Sequence, residues 1–203
     1  MANENNTDRR SPIGLRRLVR WPLTEDTETA ATYGTALEIS KALMTATDTP
    51  SVQTATQDAD DQVVEDVTIV SGGTLAIGLT AINGEDRAAI YGNKLDGGTN
   101  VVNKDDIAPY GAVAYMTMRR DGKANLYKYP KIAFSPQAET FSTVKKEGIN
   151  FAVTNLQGNY IPTISNGNAK FVRYGVDLAA DAELVTKWFT DASYYKPESE
   201  QGV

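Results

Sequence analysis

Apolar and polar residues alternate along much of this chain, with the two-residue period that is typical of β-strands. The clearest case is DVTIVSGGTLAIGLTAI, in which Val67 and Ile69, and later Leu75 and Ile77, fall at strand spacing. The glycine pair that starts at Gly72 lies between these two runs and predicts a bulge or a turn. The centre of the chain is therefore predicted to be rich in β-structure.

Further strands are predicted on both sides of this region. GLRRLVRWPL near the start reads as a strand that Pro22 confines to an edge or an end of a sheet. In YGAVAYMTMRRDGKANLYKYPKIAFS, Asp121-Gly122 predicts a hairpin with a type I′ turn. INFAVTNLQGNYIPTIS predicts another hairpin with a turn near Gly158, and Pro162 places its second strand at an edge. NAKFVRYGV is predicted as the last strand.

Two short helices interrupt this pattern. NGEDRAAIYG predicts a helix with Asn83 as N-cap and Gly92 in the left-handed position after its last turn. DAELVTKWFTDA predicts a helix with Asp181 as N-cap, in which Trp188 and Phe189 belong to an apolar stripe that packs on the core.

The predicted fold class is mainly β (α+β): a β-sandwich or partial barrel flanked by one or two short helices, with an extended N-terminal arm and a long acidic loop. ALEISKALMTATDT fits a helix in part, but we favour a strand that ends near Ala46. Residues 47–66 are predicted as a long loop or an extended hairpin. The predicted organisation is a flexible arm (1–13), one domain (14–190) and a C-terminal tail (191–203).

Composition narrows the functional classes. The chain has 203 residues, no cysteine and no histidine, so an enzyme of this sequence would depend on carboxylates, lysine or tyrosine. Acidic pairs such as Glu85-Asp86 are strand or helix neighbours and do not form a catalytic dyad by themselves. We find no catalytic, dinucleotide or phosphate-loop motif, and predict no cofactor and no metal. No apolar run is long enough to span a membrane, and the N-terminal residues lack the apolar core of a signal peptide. We therefore expect the protein to be in the cytoplasm after its synthesis.

The chain has a formal net charge of -6, and its charged residues are distributed unevenly along the sequence. The basic candidates for contacts between subunits are Arg9, Arg10, Arg16, Arg17 and Arg20. The acidic candidates are Asp58, Asp60, Asp61, Glu65 and Asp66. Two solvated stretches would explain this pattern, and so would two complementary surfaces that meet between subunits. A DNA-binding arm is a third interpretation, but no aromatic residue alternates with the arginines to stack on bases.

Several segments occur in an order that resembles a known family. They are GLRRLVRWPLTEDTETAATYGTA, ATQDADD, GTLAIGLTAINGEDRAAIYG, APYGAVAYMTMRRDGKANLYKYPKIAFS and AELVTKWF. In this order they resemble the major tail proteins of long-tailed, siphovirus-type bacteriophages, the subunits of the tail tube. The likeness extends over residues 14–189 as a dispersed pattern and not as one sharp motif.

The resemblance implies a structural virion protein without enzymatic activity. Subunits of that family form stacked hexameric rings whose strands line a hollow lumen, the conduit for DNA during ejection. The implied partners are further copies of the chain, the tape-measure protein, and the terminator and tail-tip proteins, with no membrane insertion and no specific binding of DNA. By position, residues 54–66 would be the ring-stacking loop, and residues 1–20 would be an arm or a first strand that contacts a neighbouring subunit. The implied location is the phage tail, after synthesis in the bacterial cytoplasm.

Two other classes stay open at this stage. A non-catalytic carbohydrate- or protein-binding β-sandwich would need exposed aromatic side chains, for which Tyr110, Tyr115, Tyr127 and Tyr129 are the candidates. A carboxylate enzyme would need two acids that converge in a cleft.

Overall fold

The computed structural model describes residues 11–39, 43–59, 62–139 and 153–195. In these ranges the strands are β1 (Pro12–Asp26), β2 (Ala31–Tyr33), β3 (Leu37–Ile39), β4 (Leu43–Ala59), β5 (Gln62–Leu79), β6 (Lys94–Asp96), β7 (Thr99–Val101), β8 (Gly111–Arg119), β9 (Ala124–Ser135), β10 (Thr154–Tyr160) and β11 (Phe171–Val176). The helices are α1 (Gly84–Tyr91) and α2 (Ala182–Thr190). The prediction of a mainly-β fold with short helices is confirmed.

One antiparallel sheet organises the described part of the chain. Its strand order is β2-β1-β8-β9-β10-β5-β4, with β3 also paired to β1 and β11 also paired to β9. β6 and β7 form a separate hairpin. The sheet curls strongly enough for β1 and β4 to contact each other although four strands separate them in the order.

Both faces of the sheet are buried around β1, β8 and β9. Along β8, Val113 and Tyr115 belong to a cluster inside the curl, whereas Ala112 and Ala114 belong to a second cluster on the opposite face. The first cluster includes α1 through Ile90, and the second includes Trp188 and Phe189 of α2. Because successive strand residues point to opposite faces, such a doubly covered strand reads as a continuous apolar run.

The first strand is longer and more central than predicted. β1 continues from Pro12 past Pro22 to Asp26 and pairs with β8 on one side and with β2 and β3 on the other, so confining it to a sheet edge was wrong. Pro22 is tolerated because it forms the last pair with β8, and its carbonyl accepts a hydrogen bond from the Gly34 amide at 2.8 Å. Pro12 and Ile13 therefore belong to the sheet and not to a flexible arm, whereas residues 1–10 lie outside the described residues.

Strands β4 and β5 form a long antiparallel hairpin, so of the two structures predicted for this stretch, a long loop or an extended hairpin, the second is observed. β4 and β5 pair from Leu43–Leu79 outward to Ala59–Gln62. The single strand predicted to end near Ala46 is instead divided between β3, which pairs with β1, and β4, which pairs with β5 and extends thirteen residues beyond Ala46 to Ala59. The predicted bulge is confirmed, because the register shifts between the pairs Ser51–Gly72 and Val52–Val70.

Gly158 does not form a turn. It lies inside β10, opposite Leu75 on one side and Phe134 on the other, so the hairpin predicted there was wrong. A Cβ atom at Gly158 would lie 2.8 Å from the Ala133 carbonyl oxygen and 2.9 Å from side-chain atoms of Ile132 and Phe134. Glycine is required here for close approach of neighbouring strands, which has the same sequence signature as a turn. Ile149 and Phe151, predicted to share the first strand of that hairpin, lie outside the described residues.

This crowding makes Gly158→Ala a specific test of the packing. We expect the free energy of unfolding to fall by about 1–3 kcal/mol, because the added methyl group overpacks the sheet. Chemical denaturation would measure it. Gly14→Ala is the matched control, since nothing lies within 4 Å of a Cβ atom there. Equal stability of the two variants would contradict the close approach.

The hairpin of β8 and β9 has a different turn from the one predicted. The Gly122 amide donates to the Arg119 carbonyl at 3.2 Å, and Gly122 is left-handed with φ 83°, but Asp121 has no positive φ. A type I′ turn needs positive φ at both central residues, so the predicted turn type was wrong and the left-handed residue is the glycine that follows the turn.

The helix predictions are largely confirmed. The Asn83 side chain accepts a hydrogen bond from the Asp86 amide at 2.6 Å, and Gly92 ends α1 with φ 73°. Trp188 and Phe189 of α2 are buried. Asp181 precedes α2 but does not cap it, because its carboxylate accepts a hydrogen bond from the Asp177 amide at 3.0 Å.

Candidate assembly interface

The outer part of the β4–β5 hairpin extends beyond the other strands of the sheet. β10 pairs with β5 only from Gly73 to Leu79, and beyond the bulge the described strands β4 and β5 pair only with each other. We call residues 52–70 the β-arm. A two-stranded hairpin without a covering layer is marginally stable in water, which makes this segment the first candidate for contact with another chain.

The β-arm exposes large apolar side chains on both of its faces. Val52 pairs with Val70 on one face, and the next pair, Gln53 with Ile69, lies on the other together with Val67. The exposed fractions of Val52, Val67, Ile69 and Val70 are 53%, 45%, 58% and 57%. Hydrophobic side chains grouped on a projecting element indicate a surface that another molecule covers.

The acidic candidates of the sequence belong to this β-arm. Residues 52–70 contain five acidic residues and no basic residue, in a chain whose formal net charge is -6. Asp58 lies on β4, Glu65 and Asp66 lie on β5, and Asp66 is exposed. Asp60 and Asp61 lie outside the described residues. The predicted acidic surface is thus the outer end of a hairpin and not a loop.

The basic candidates do not form one surface. Arg9 and Arg10 lie outside the described residues, and Arg16 is exposed. Arg17 has φ 56° in a bulge of β1, where it lies 3.7 Å from a Glu38 carboxylate oxygen and 4.5 Å from the centre of the Phe189 ring. Arg17 therefore has contacts within its own chain but stays partly exposed, and its role at a subunit interface stays a prediction.

Arg20 is also removed from the predicted surface. It is 2% exposed, and its Nη2 atom donates a hydrogen bond to the Pro109 carbonyl at 2.9 Å. Burial lowers the pKa of Arg20 from its usual value. The bulge in β1, and the alternation of its side chains between the two faces of the sheet, place Arg16, Arg17 and Arg20 in different surroundings although they are close in the sequence.

The tyrosines of the carbohydrate-binding alternative are largely internal. The Tyr115 ring stacks on Tyr127 with centroids 5.0 Å apart, and Tyr129 contacts Tyr160 at 4.9 Å. Tyr115 and Tyr129 are buried, and burial raises the pKa of Tyr115 to about 12. Tyr110 is exposed to 42%, but its ring lies 5.2 Å from the Lys131 ammonium group. These side chains do not form the exposed platform that this alternative requires.

The acidic residues of the body have structural partners. Asp26 accepts hydrogen bonds from Lys131 Nζ at 2.6 Å and from the Ile164 amide at 3.0 Å. Asp48 accepts one from the Tyr160 hydroxyl at 2.8 Å and forms an ion pair with Lys170. Within the described ranges, no three Asp or Glu residues are grouped so that they could hold a metal ion.

A buried lysine was not predicted from the sequence. Lys128 has no exposed surface, and its Nζ atom donates hydrogen bonds to the carbonyls of Asp191 at 2.7 Å and Tyr194 at 2.6 Å. The same atom lies 4.9 Å from the centre of the Trp188 ring and 5.5 Å from that of Trp21. Burial lowers the pKa of Lys128 to about 7, against the opposing effect of Asp191. This residue fastens the segment after α2 to the sheet, so the tail predicted from residue 191 begins within the packed body.

No protein-family model and no curated protein sequence matches the chain. Among the described helices, none is both long and apolar enough to cross a membrane.

Proposed function

We propose that this chain is a self-assembling structural protein, the tail tube subunit of a long-tailed bacteriophage. The observation that carries the proposal is the β-arm, which projects from the sheet with exposed valine and isoleucine side chains on both faces. A second copy of the chain is the occupant that fits, because a neighbouring subunit would cover the β-arm and remove its apolar surface from water.

The dispersed resemblance to major tail proteins supplies the class of assembly. In this proposal, six subunits form a ring, the rings stack into a hollow tube, and the β-arm joins neighbouring subunits. DNA passes through the lumen without specific binding, and the tape-measure, terminator and tail-tip proteins are the other partners. The protein would act in the virion tail after synthesis in the bacterial cytoplasm.

Electron microscopy of the concentrated protein tests this proposal directly. We expect rings and stacked tubes with six-fold symmetry, together with a rise in sedimentation coefficient as the protein concentration increases. Since assembly follows mass action, dilution should shift the population towards single subunits. A protein that sediments as a monomer at every concentration and salt condition would overturn the proposal.

A further inference from the structure

Three strands meet at the root of the β-arm, the point where β4 and β5 extend beyond the rest of the sheet. Towards the β-arm, Gly73 is the last residue of β5 that pairs with β10, opposite Tyr160, and its partner on β4 is Pro50. The next residue outward, Gly72, has φ 140°, which side-chain-bearing residues rarely adopt. Two adjacent glycines give the backbone freedom to bend, so by themselves they would let the β-arm swing relative to the rest of the subunit.

Tyr160 occupies the space over this glycine pair. A Cβ atom at Gly73 would lie 2.3 Å from the Tyr160 hydroxyl oxygen, and one at Gly72 would lie 2.3 Å from the Tyr160 carbonyl oxygen. Tyr160 is buried, and its ring contacts the Tyr129 ring with centroids 4.9 Å apart, so the core holds it in place. The two glycines therefore permit the close approach of Tyr160 and do not form a turn.

The Tyr160 hydroxyl extends across the glycines to β4. It donates a hydrogen bond to Asp48 Oδ1 at 2.8 Å. The other carboxylate oxygen of Asp48 forms an ion pair with Lys170, which lies just before β11. Burial raises the pKa of Tyr160 above its usual value, and the hydrogen bond to Asp48 acts in the same direction, so the phenol stays a donor at neutral pH. β4 is thus tied to β10 and to the segment before β11, two residues from the last pair at the root, Pro50 with Gly73.

This polar network is suited to fixing a direction. Apolar contacts are non-directional, whereas hydrogen bonds to charged groups have a defined geometry. The side chains of Asp48 and Lys170 are 17% and 31% exposed, so solvent screens their ion pair only in part. A second copy that binds the β-arm loses less conformational freedom when the β-arm already points in one direction.

We propose that Tyr160, Asp48 and Lys170 form a clamp that fixes the direction in which the β-arm leaves the subunit. They are positioning residues, which act on the contact with a second copy through the β-arm and need not touch that copy. The inference rests on the proposed function only for its effect on assembly, because the direction of the β-arm is a property of a single subunit.

Distances between spin labels measure the clamp in single subunits. The chain has no cysteine, so Thr68→Cys on the β-arm and Thr186→Cys on α2 introduce two exposed thiols, and no others are present. Double electron–electron resonance between nitroxides at these positions, in protein dilute enough to be monomeric, gives the distribution of distances. We expect one narrow distribution when the clamp is intact.

Tyr160→Phe removes the hydroxyl group and keeps the ring over the glycines. We expect the distance distribution to become roughly twofold wider, because the glycine pair is then free to bend, and we expect the same in Lys170→Met. The matched control is Tyr33→Phe. It also removes a hydroxyl that donates a hydrogen bond, to the Pro130 carbonyl at 3.1 Å, but Tyr33 lies on β2, at the opposite end of the strand order from β4. Its distribution should stay narrow.

Assembly provides the second measurement. Tyr160→Phe should need a roughly tenfold higher protein concentration to form tubes than Tyr33→Phe, because the β-arm is no longer held in its bound direction. Assembly of both variants at the same concentration would overturn the positioning role.

The clamp and the proposed function can fail separately. A broad distribution in the protein with an intact clamp, an unchanged width in Tyr160→Phe and Lys170→Met, or an equal widening in Tyr33→Phe would overturn the clamp even if tubes form. A narrow distribution that widens in Tyr160→Phe, in a protein that forms no tubes at any concentration, would support the clamp and refute the proposed function.

Discussion

Tube formation is expected to disappear when Val52, Val67, Ile69 and Val70 are all replaced by threonine. The substitutions keep the branched shape and the high β-propensity of each position, but they place a hydroxyl group where the partner subunit would bury a methyl group. At about 1 kcal/mol per group, the four changes weaken each contact by about 4 kcal/mol, which corresponds to roughly a 1000-fold higher concentration for assembly. Sedimentation and electron microscopy measure this change.

The fold of the subunit should not change in this variant. The four side chains are exposed in the subunit, and surface substitutions generally alter stability by about 0.5 kcal/mol or less. A matched control replaces Val101, Val102 and Ile107 by threonine, because these residues are also exposed but lie outside the β-arm. Tubes that persist in the β-arm variant, or that vanish equally in the control, would show that the β-arm is not the element that drives assembly.

The sequence predicts the strands and helices better than it predicts which strands pair with each other in the sheet. Strand alternation and the caps Asn83 and Gly92 depend on residues close in the chain, and the structure bears them out. Gly158 was placed in a turn wrongly, and of the two placements predicted for Pro22 only the end of a ladder is correct, because both roles depend on strands that are remote in sequence. Pro22 is tolerated because it lies at the end of the pairing with β8. Gly158 is needed because a neighbouring strand approaches it closely. A proline or a glycine in a strand pattern can therefore indicate either a turn or edge, or a position inside the sheet at a ladder end or a close strand contact, and the pairing of the strands decides between them.

At the candidate interface, too, local features could be predicted from the sequence, whereas features that depend on strand pairing could not. The acidic stretch was recognised from composition, but its shape as a paired hairpin depends on the register between β4 and β5. The arginines are close in the sequence, but in the structure a bulge at Arg17 interrupts the strand and Arg20 is buried in its own subunit.

The second large effect is expected in the pH dependence of stability, and it depends on Lys128. Burial lowers the pKa of this lysine in the folded protein to about 7, from about 10.4 in an unfolded chain. Between these two values the unfolded chain holds a proton that the folded protein does not hold. Because stability rises with pH wherever the unfolded state binds more protons, the free energy of unfolding should increase from pH 7 towards pH 10. The slope should approach about 1.4 kcal/mol per pH unit.

Above pH 10 the trend should reverse, because burial also raises the pKa of Tyr115 and Tyr129 in the folded protein. Their phenols ionise in the unfolded chain near pH 10 and stay protonated in the folded protein, so stability is lost as the pH rises further. The free energy of unfolding should therefore have a maximum between pH 9 and about pH 10, which is unusual because most proteins are most stable between about pH 5 and pH 8.

Denaturant titrations of the Lys128→Met variant, at intervals from pH 7 to pH 10, isolate the contribution of the lysine. Methionine removes the titrating group but also leaves the carbonyls of Asp191 and Tyr194 without their donor, so the variant should be less stable overall. The decisive quantity is the slope, which should become nearly flat in Lys128→Met and stay steep in the control Lys123→Met, where the lysine is exposed. A flat slope in the unsubstituted protein would mean that Lys128 keeps its proton throughout this range. The two carbonyls and two indole rings would then stabilise the buried ammonium group enough to offset its loss of hydration.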